Sequence, residues 1–372
     1  MSEPSRPLQG VHVLDLTRLP PGAYCTVLLA DLGADVCCVE APNSARLGSS
    51  VGIGRGKRSV AVDLRSPRGP EILRRLARWA DVLVENERPG AMDERGFGYG
   101  HACVEMPSLI WCSISGFGQD GPYARWAGHD VSFTAHSGLL AAVNPDLPWH
   151  PQTVISIPIG ALMAALGVLG ALRERDRTGN GCQLDISLSE SALWLLSGED
   201  GEINGTPRGV PVGPDRHLYE CSDGGWIVVA AAEPRTWSAL CEELGLDDLA
   251  GALHRWEDRQ AVIERLAAIF RTKPAAEWVA RLGPRAAVTR ANRGAELRED
   301  PHVAARGSLQ SVGDVLVPRS PIRVHDREGP RPAAETFAPR PVGADTNDVL
   351  AAAGFSASEI EELADQGAIA QA

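Results

Sequence analysis

The chain has 372 residues, enough for two domains or one elaborated domain, and its 44% hydrophobic and 23% charged residues are the balance of a globular protein. Its formal charge of −12 and pI near 5.3 argue against nucleic acid or an anionic membrane surface as partner, because either needs a net basic face. A local basic patch that grips one anionic ligand remains compatible with this charge.

In chain order, "VHVLDLT" (11–17) is an apolar, β-branched run and predicts a strand. "AYCTVLLADLG" (23–33) has helical spacing and ends at Gly33, a C-cap signal. "ADVCCVE" (34–40) predicts the next strand, and a strand–helix–strand unit of this size is how a parallel α/β sheet begins. The pattern repeats with strand "SVAVDL" (59–64), helix "GPEILRRLARWA" (69–80), and strands "DVLVEN" (81–86) and "LIWCSISG" (109–116). A long helix over roughly 157–175 follows, then strand "CQLDISL" (182–188) and helix "SESALWLLSG" (189–198).

After residue 200 the composition changes. The stretch 201–216, rich in Gly and Pro, reads as a linker. "HLYECSDGGWIVVAAA" (217–232) reads as a hairpin turning at Asp223-Gly224-Gly225, and helices are predicted over 234–245 and 259–272. The expected organisation is a large α/β domain over 1–200, completed by 315–372, and a small α+β domain over 217–305. Residues 306–372 form a connector and C-terminal return that ends in a helix over 356–366.

The eight cysteines show no CxxC and no metal-ligand spacing, so reduced, mostly buried thiols are expected. The polar N-terminus lacks the basic-then-apolar pattern of a signal peptide, and the longest apolar stretch, 153–172, is interrupted by Pro158 and several glycines. A cytoplasmic protein without a membrane span is the expectation. No GxGxxG follows the first strand, and no metal or nucleotide cofactor is expected; "GRGK" lacks the P-loop spacing.

Several stretches, in this order, resemble the class III CoA-transferase superfamily, which includes formyl-CoA transferases and α-methylacyl-CoA racemases. They are "GVHVLDLT…LLADLGADVCCVEAP", "GRGKRSVAVDL", "DVLVENERPGAMDERGFGYG", "SISGFGQDGPYARWAGHD", "LGALRERDRTGNGCQLDISLSESA", "YECSDGGWIVVAAAEP" and "DPHVAARG". The resemblance spans residues 8–350. It implies a Rossmann-like large domain, a smaller α+β domain on long linkers, and two chains threaded through each other as an interlocked homodimer. The length, the lack of a glycine-run loop after the hairpin, and the pair "GHD" and "AEP" place the chain nearest the racemase branch.

In racemases of that kind the motif "GHD" supplies a histidine base and "EP" a glutamate that orients it. Carried onto this sequence they are His129 and Glu233, the latter from the partner chain's small domain. The chemistry is sound: an α-proton beside a thioester carbonyl is weakly acidic, and histidine suits a base that works near neutral pH. A carboxylate on its other ring nitrogen fixes the tautomer. Racemisation also needs an acid on the opposite face, and the resemblance puts an aspartate there, which the transferases use as nucleophile. Counting back from "LGALRER", this chain has Ser156, or Ile157 with a register slip of one.

Three readings follow from that replacement. One is one-base chemistry at the α-carbon through His129: exchange, isomerisation, elimination or decarboxylation. Another is recruitment of a different group, such as Asp146, His150 or His136. The last is a non-catalytic CoA-thioester-binding homologue, and CoA transfer through an acyl-aspartate fits the sequence least.

CoA carries phosphates and requires local basic residues. Arg55, Lys57 and Arg58 form one cluster, with Arg58 read as a surface charge, and Arg88 in "ERPG" matches an arginine near the CoA in the resemblance. The same resemblance adds Leu64, Asn86, Gly128 and Asp130 to the expected binding residues. Ala41 and Glu94 stand where similar sequences carry arginine. Trp126, Phe133 and Trp149 are candidates to line an acyl pocket, although large aromatics more often fill core.

Overall fold

The structure, a computed structural model, describes residues 6–17, 20–44, 50–144, 150–198, 204, 213–327, 329–331 and 336–372. The chain divides into two compact units, one of Met1–Asn204 with Ser308–Ala372 and one of Gly205–Gly307.

The first unit is built on a mixed seven-stranded sheet with parallel strands dominant. The chain lays down β1 (His12–Asp15), α1 (Pro20–Asp31), β2 (Asp35–Glu40), α2 (Val51–Gly54), β3 (Arg58–Val62), α3 (Gly69–Trp79) and β4 (Val82–Glu85). Then come α4 (Ala91–Glu94), α5 (Tyr99–Glu105), β5 (Ile110–Ser115), α6 (Asp130–His136), α7 (Leu139–Val143), α8 (Ser156–Thr178), β6 (Gln183–Ser187) and α9 (Leu188–Trp194). The six strands β3-β2-β1-β4-β5-β6 lie side by side in that order, all parallel. The strand order therefore reverses beside β1, and in a doubly wound sheet the crevice outside the carboxyl ends of the strands at such a reversal is where ligands bind.

Alternate residues of each strand face opposite layers. Leu14, Val60, Val62, Leu83 and Trp111 pack with Ile72 and Leu76 of α3 on one face. Val13, Val36, Val84, Ile110 and Cys112 pack with Leu29 of α1 and Val168 of α8 on the other. Amphipathic spacing explains α3, which buries Ile72, Leu73, Leu76 and Ala77 and starts with Pro at its N-terminal turn. In α8, Pro158 sits in the first turn, where its missing N–H has no intrahelical partner to lose, so it does not interrupt the helix. A Cβ on Gly160 would fall 2.3 Å from Leu188 Cδ2, and the small residues Ala161, Ala164 and Ala165 let α8 lie close on its neighbours. Among the described residues α8 is the one helix long and apolar enough, by length and composition, to cross a bilayer. Its buried small-residue face against α1 and β5 is that of a core helix.

The second unit carries an antiparallel sheet of β7 (Arg216–Glu220), β8 (Trp226–Ala230) and β9 (Val288–Arg290), with helices α10 (Pro234–Leu244), α11 (Arg259–Phe270) and α12 (Ala275–Ala286). Tyr219, Ile227, Val229, Trp237, Leu240, Phe270 and Trp278 make its core. The β7–β8 turn closes where the sequence places it: Gly224 has φ +72°, and Asp223 Oδ1 accepts from the Gly225 amide at 3.1 Å. Strand β9 and helix α12 are not legible as periodicity, because Gly283 and Pro284 interrupt the pattern; tertiary packing of Trp278 and Leu282 carries the helix through them.

The remainder of the chain adds α13 (Pro301–Arg306) to the second unit and returns to the first through two short hairpins, β10 (Leu309–Val312) with β11 (Val315–Pro318) and β12 (His325–Asp326) with β13 (Gly329–Pro330). Helices α14 (Thr346–Ala352) and α15 (Ala357–Asp365) follow, and β14 (Ile369–Ala370) pairs antiparallel with β3, covering the sheet edge.

Candidate functional site

The start of α6 and the start of α8 meet over the carboxyl end of β5. His129 is the N-cap of α6 and is exposed; its backbone N–H donates to Ser132 Oγ at 3.4 Å. The next residue, Asp130, turns inward and is only 7% exposed. Its carboxylate accepts from the Ile155 amide at 2.9 Å, the Ile157 amide at 2.8 Å and the Ser156 hydroxyl at 2.8 Å, with the Thr134 hydroxyl further off at 3.4 Å. An aspartate thus caps the orphan amides of the long helix α8 and places a negative charge on the positive end of its dipole.

This arrangement corrects two expectations. Asp130 was expected among the substrate-binding residues, but its oxygens are taken up by the α8 start. Ser156 was expected among the catalytic residues, but it is 0% exposed and its hydroxyl donates to Asp130, so it is sealed inside the fold. The signal for that cap is present in the sequence as an acid beside a helix-starting His, but nothing local says which helix it serves.

Gly128 stands where the chain passes Phe133; a Cβ there would lie 2.6 Å from Phe133 Cε1, which makes the glycine a packing requirement. Phe133 itself is buried core.

Of the basic residues, Lys57 is 1% exposed, ion-paired to Asp15 at 3.2 Å, and donates to Thr26 Oγ1 at 2.6 Å and the Ala23 carbonyl at 3.1 Å. Burial pushes the Asp15 carboxyl up, but Lys57, Thr17 and Thr26 outweigh it and hold it below the usual carboxylate range. Arg55, also buried, is paired with Asp31 and donates to the Gly52 carbonyl. Neither cation faces outward, because the fold's own carboxylates neutralise both; they are not carried into the binding reading. Arg58 makes a two-pronged contact with Asp35. Leu64 is half-buried against the first core layer and its carbonyl shapes the turn into α3 at Gly69. Asn86, half-buried, follows β4 at the carboxyl edge of the sheet.

Arg88 is different. It is exposed and lines a cleft of about 140 Å³ with Glu85, Tyr99, Trp111, Ser113 and Gln119. Arg125, which the sequence reading did not single out, comes to the same turn, with Nη2 3.4 Å from where a Cβ on Gly90 would stand. Two guanidinium groups at the end of β4 make a basic rim in an acidic protein.

Beyond α6 lies an aromatic group that the sequence did not reveal as a unit. Tyr123 and Trp126 stack with centroids 4.0 Å apart, and Trp126 is 60% exposed. His136 meets the edges of Phe117 and Tyr123 at 5.3 Å each, and its Nδ1 lies 2.6 Å from Ser189 Oγ. Phe117 and Ser189 are brought there by the loop after β5, since the Ser189 amide donates to the Gly116 carbonyl at 3.0 Å.

Glu233 belongs to the second unit. It is exposed at the N-cap of α10, where its amide donates to Thr236 Oγ1 at 3.3 Å. His150 is exposed; Asp146 and Trp149 lie outside the described residues. Burial pushes the Cys25 thiol up to about 12 and those of Cys221 and Cys241 to about 11, and it raises Cys112 well above the usual thiol range, which disfavours the thiolate at these four positions. Among the described residues no group of His, Cys, Asp and Glu is arranged to hold a metal ion.

Comparison with known proteins gives a consistent picture. The family model described as CoA-transferase family III matches residues 8–346. The chain is 35% identical to the human α-methylacyl-CoA racemase over 96% of each chain. It is 32% identical to the succinyl-CoA–D-citramalate CoA-transferase of Chloroflexus aurantiacus, over 84% of this chain and 85% of that one. Among solved structures, a CaiB/BaiF family protein from Brucella suis superposes with a TM-score of 0.80 at 27% identity, over 94% of this chain and all of that one.

Proposed function

The chain belongs to CoA-transferase family III, and from that premise we propose that it is an enzyme of acyl-thioester chemistry that removes and returns a proton at the α-carbon through His129. The observation that carries this reading is the contrast at the start of α6: an exposed histidine beside an aspartate whose oxygens are engaged and a serine that is sealed. In the proposed step the α C–H proton passes to the imidazole of His129 and its electron pair moves onto the thioester carbonyl oxygen as an enolate. With no acid supplied at position 156, the proton returns to the face it left, so configuration is retained.

Arg88, exposed on its cleft beside Arg125, is the proposed contact for a CoA phosphate. Glu233 is proposed to orient His129 from a second copy of the chain, as part of a homodimer. A CoA-transferase activity is the second reading. What favours it is that a carboxylate, Asp130, lies 2.8 Å from the Ser156 hydroxyl, so one has not left the neighbourhood.

The test is incubation of the protein with a 2-methylacyl-CoA in heavy water, followed by mass spectrometry and chiral analysis of the acyl group. Deuterium uptake without loss of configuration is expected, and His129→Ala should lower it by about 10²–10⁴-fold. Uptake with racemisation would mean a second acid acts on the opposite face. Transfer of CoA to a labelled free acid without deuterium uptake would establish the second reading in place of the first.

A further inference from the structure

We infer that His254 and Asp215 form a pH-operated latch in the second unit, one that braces the loop between α10 and α11 and, through Trp256 and Trp237, the helix start that carries Glu233. What this does for Glu233 rests on the proposed function above; the latch itself does not. Asp215 precedes β7 and is only 2% exposed, yet its Oδ2 has no hydrogen-bond partner among the described residues. The Nδ1 of His254 lies 3.8 Å from that oxygen, which is roughly 1 Å beyond a normal hydrogen bond. The imidazole is half-exposed, so protons reach it from solvent while the carboxylate it faces is sealed. An unpaired carboxylate oxygen inside a fold is costly, and an imidazolium is a donor that relieves it.

Trp256 marks the same contact. A Cβ on Gly213 would lie 2.5 Å from Asp215 Oδ1 and 2.9 Å from Trp256 Cζ3, so carboxylate and indole close on one glycine. Trp256 Nε1 is buried without a partner, and among the described residues it and Asp215 Oδ2 are the orphaned buried side-chain atoms of this unit. The indoles of Trp237 and Trp278 are satisfied by the Leu249 carbonyl at 2.7 Å and the Phe270 carbonyl at 2.9 Å. His254 has φ +62°, a left-handed backbone that a β-carbon disfavours and that packing must hold. The structure thus holds the latch open, with the loop seated one hydrogen bond short of closure. Trp256 stands edge-on to Trp237 at 5.5 Å, and the Trp237 amide donates to the Glu233 carbonyl at 2.9 Å, so the loop bears on the first turn of α10.

The other charged and titratable groups around the pair are these. Arg216 Nε lies 3.9 Å from the same oxygen and keeps its charge throughout. On β7, burial and the Asp215 charge push the Tyr219 phenol up, its hydroxyl donates to the Pro214 carbonyl at 3.0 Å, and His217 stands edge-on to its ring at 5.0 Å. On the loop, Arg255 donates to the Gly251 carbonyl, Glu257 is exposed, and Asp258 accepts from the Ala261 amide at the start of α11. On α10, Arg235 is exposed, and Glu242 and Glu243 pair with Arg285 and Arg281. Folding gives the imidazolium of His254 a carboxylate partner, so its contribution is present at low pH and lost as pH rises.

The experiment is hydrogen exchange by mass spectrometry on the full chain at about pH 5.5 and about pH 8, corrected for the intrinsic pH dependence of exchange, with α12 as internal reference. The Leu249, Ala252 and Arg255 amides donate within the loop, and the Trp237 amide reports the α10 start. In wild type their protection should be about tenfold higher at the lower pH. His254→Asn suits a left-handed backbone and carries no titrating group; it and Asp215→Asn should both show no pH response. A wild type without the response, or a response that survives in His254→Asn, would overturn the inference. A loop response that leaves the Trp237 amide unmoved would overturn the link to Glu233. The full response in a protein that shows no α-proton exchange would support the latch and place the failure with the proposed function.

Discussion

At the scale of single residues, the Asp130–Ser156 pair is where the proposed one-base reading is most directly tested. The start of α8 is satisfied from the neighbouring motif, with Asp130 accepting from the Ile155 and Ile157 amides and from the Ser156 hydroxyl. Removing the hydroxyl takes away one bond to a charged acceptor. Ser156→Ala is therefore expected to lower stability by about 1–2 kcal/mol in denaturant unfolding and to change α-proton exchange by less than about threefold. Asp130→Ala leaves two amides and a hydroxyl without their acceptor, and a loss of about 2–4 kcal/mol is expected. A hundredfold fall in exchange for Ser156→Ala at undiminished CoA binding would show that the serine takes part and would sink the one-base reading. His129 was legible from its motif; the sealing of Ser156 was not, because burial depends on which element crosses above it.

At the scale of elements, the ends of strands β4 and β5 set the polarity of the Arg88 cleft. β4 delivers Glu85 to a position 4% exposed, beside Ser113 and Trp111 of β5 and with the Glu87 amide donating to it at 2.8 Å. Burial pushes the Glu85 carboxyl up, and the hydrogen bonds only partly pull it back. A carboxyl whose folded value is raised contributes stability that is complete below its ordinary value of 4.5 and is lost as pH rises through the folded value. Glu85→Gln keeps an acceptor oxygen and removes the buried charge. Its Tm should exceed that of wild type at about pH 8, and the gap should close toward about pH 4. A Tm gap independent of pH would refute the assignment. The strand was evident in "DVLVEN"; that its last residue would be buried under the α4–α5 layer was not, since a charged residue at a strand end ordinarily signals solvent.

At the scale of the whole molecule, the C-terminal return closes the sheet of the first unit. The Ser59 amide donates to Asp345 Oδ2 at 2.9 Å, the Ala61 amide to Thr346 Oγ1 at 3.0 Å, and Ile369 pairs with Val62. Arg75 lies over the ring of Phe355 at 3.5 Å and reaches Glu359 at 2.7 Å, which holds that carboxyl down at about 2. Gly343 makes the turn: its φ is +83°, and a Cβ would fall 2.7 Å from the Ala370 carbonyl oxygen and 2.9 Å from Ala61 Cβ. Gly343→Ala is expected to lose about 2–4 kcal/mol, from backbone strain together with the clash, and to speed hydrogen exchange in β3 and β14. Unchanged protection in those strands would mean the return is held without this turn.

Strands β1 to β6, helices α1, α3, α8 and α9 and the hairpin at Asp223-Gly224-Gly225 were readable along the chain, because each rests on period or turn chemistry. Contacts between residues far apart in sequence were decided by tertiary structure alone. Lys57 looked like a phosphate ligand until Asp15 and Thr26, 42 and 31 residues away, were seen to enclose it. Asp130 looked like a binding residue until α8 arrived, and His136 stood only among the groups that could be recruited until Ser189, 53 residues on, met its ring. A sequence states which groups are present; whether a polar group faces solvent or is satisfied inside depends on the desolvation and pairing that only the packed fold imposes.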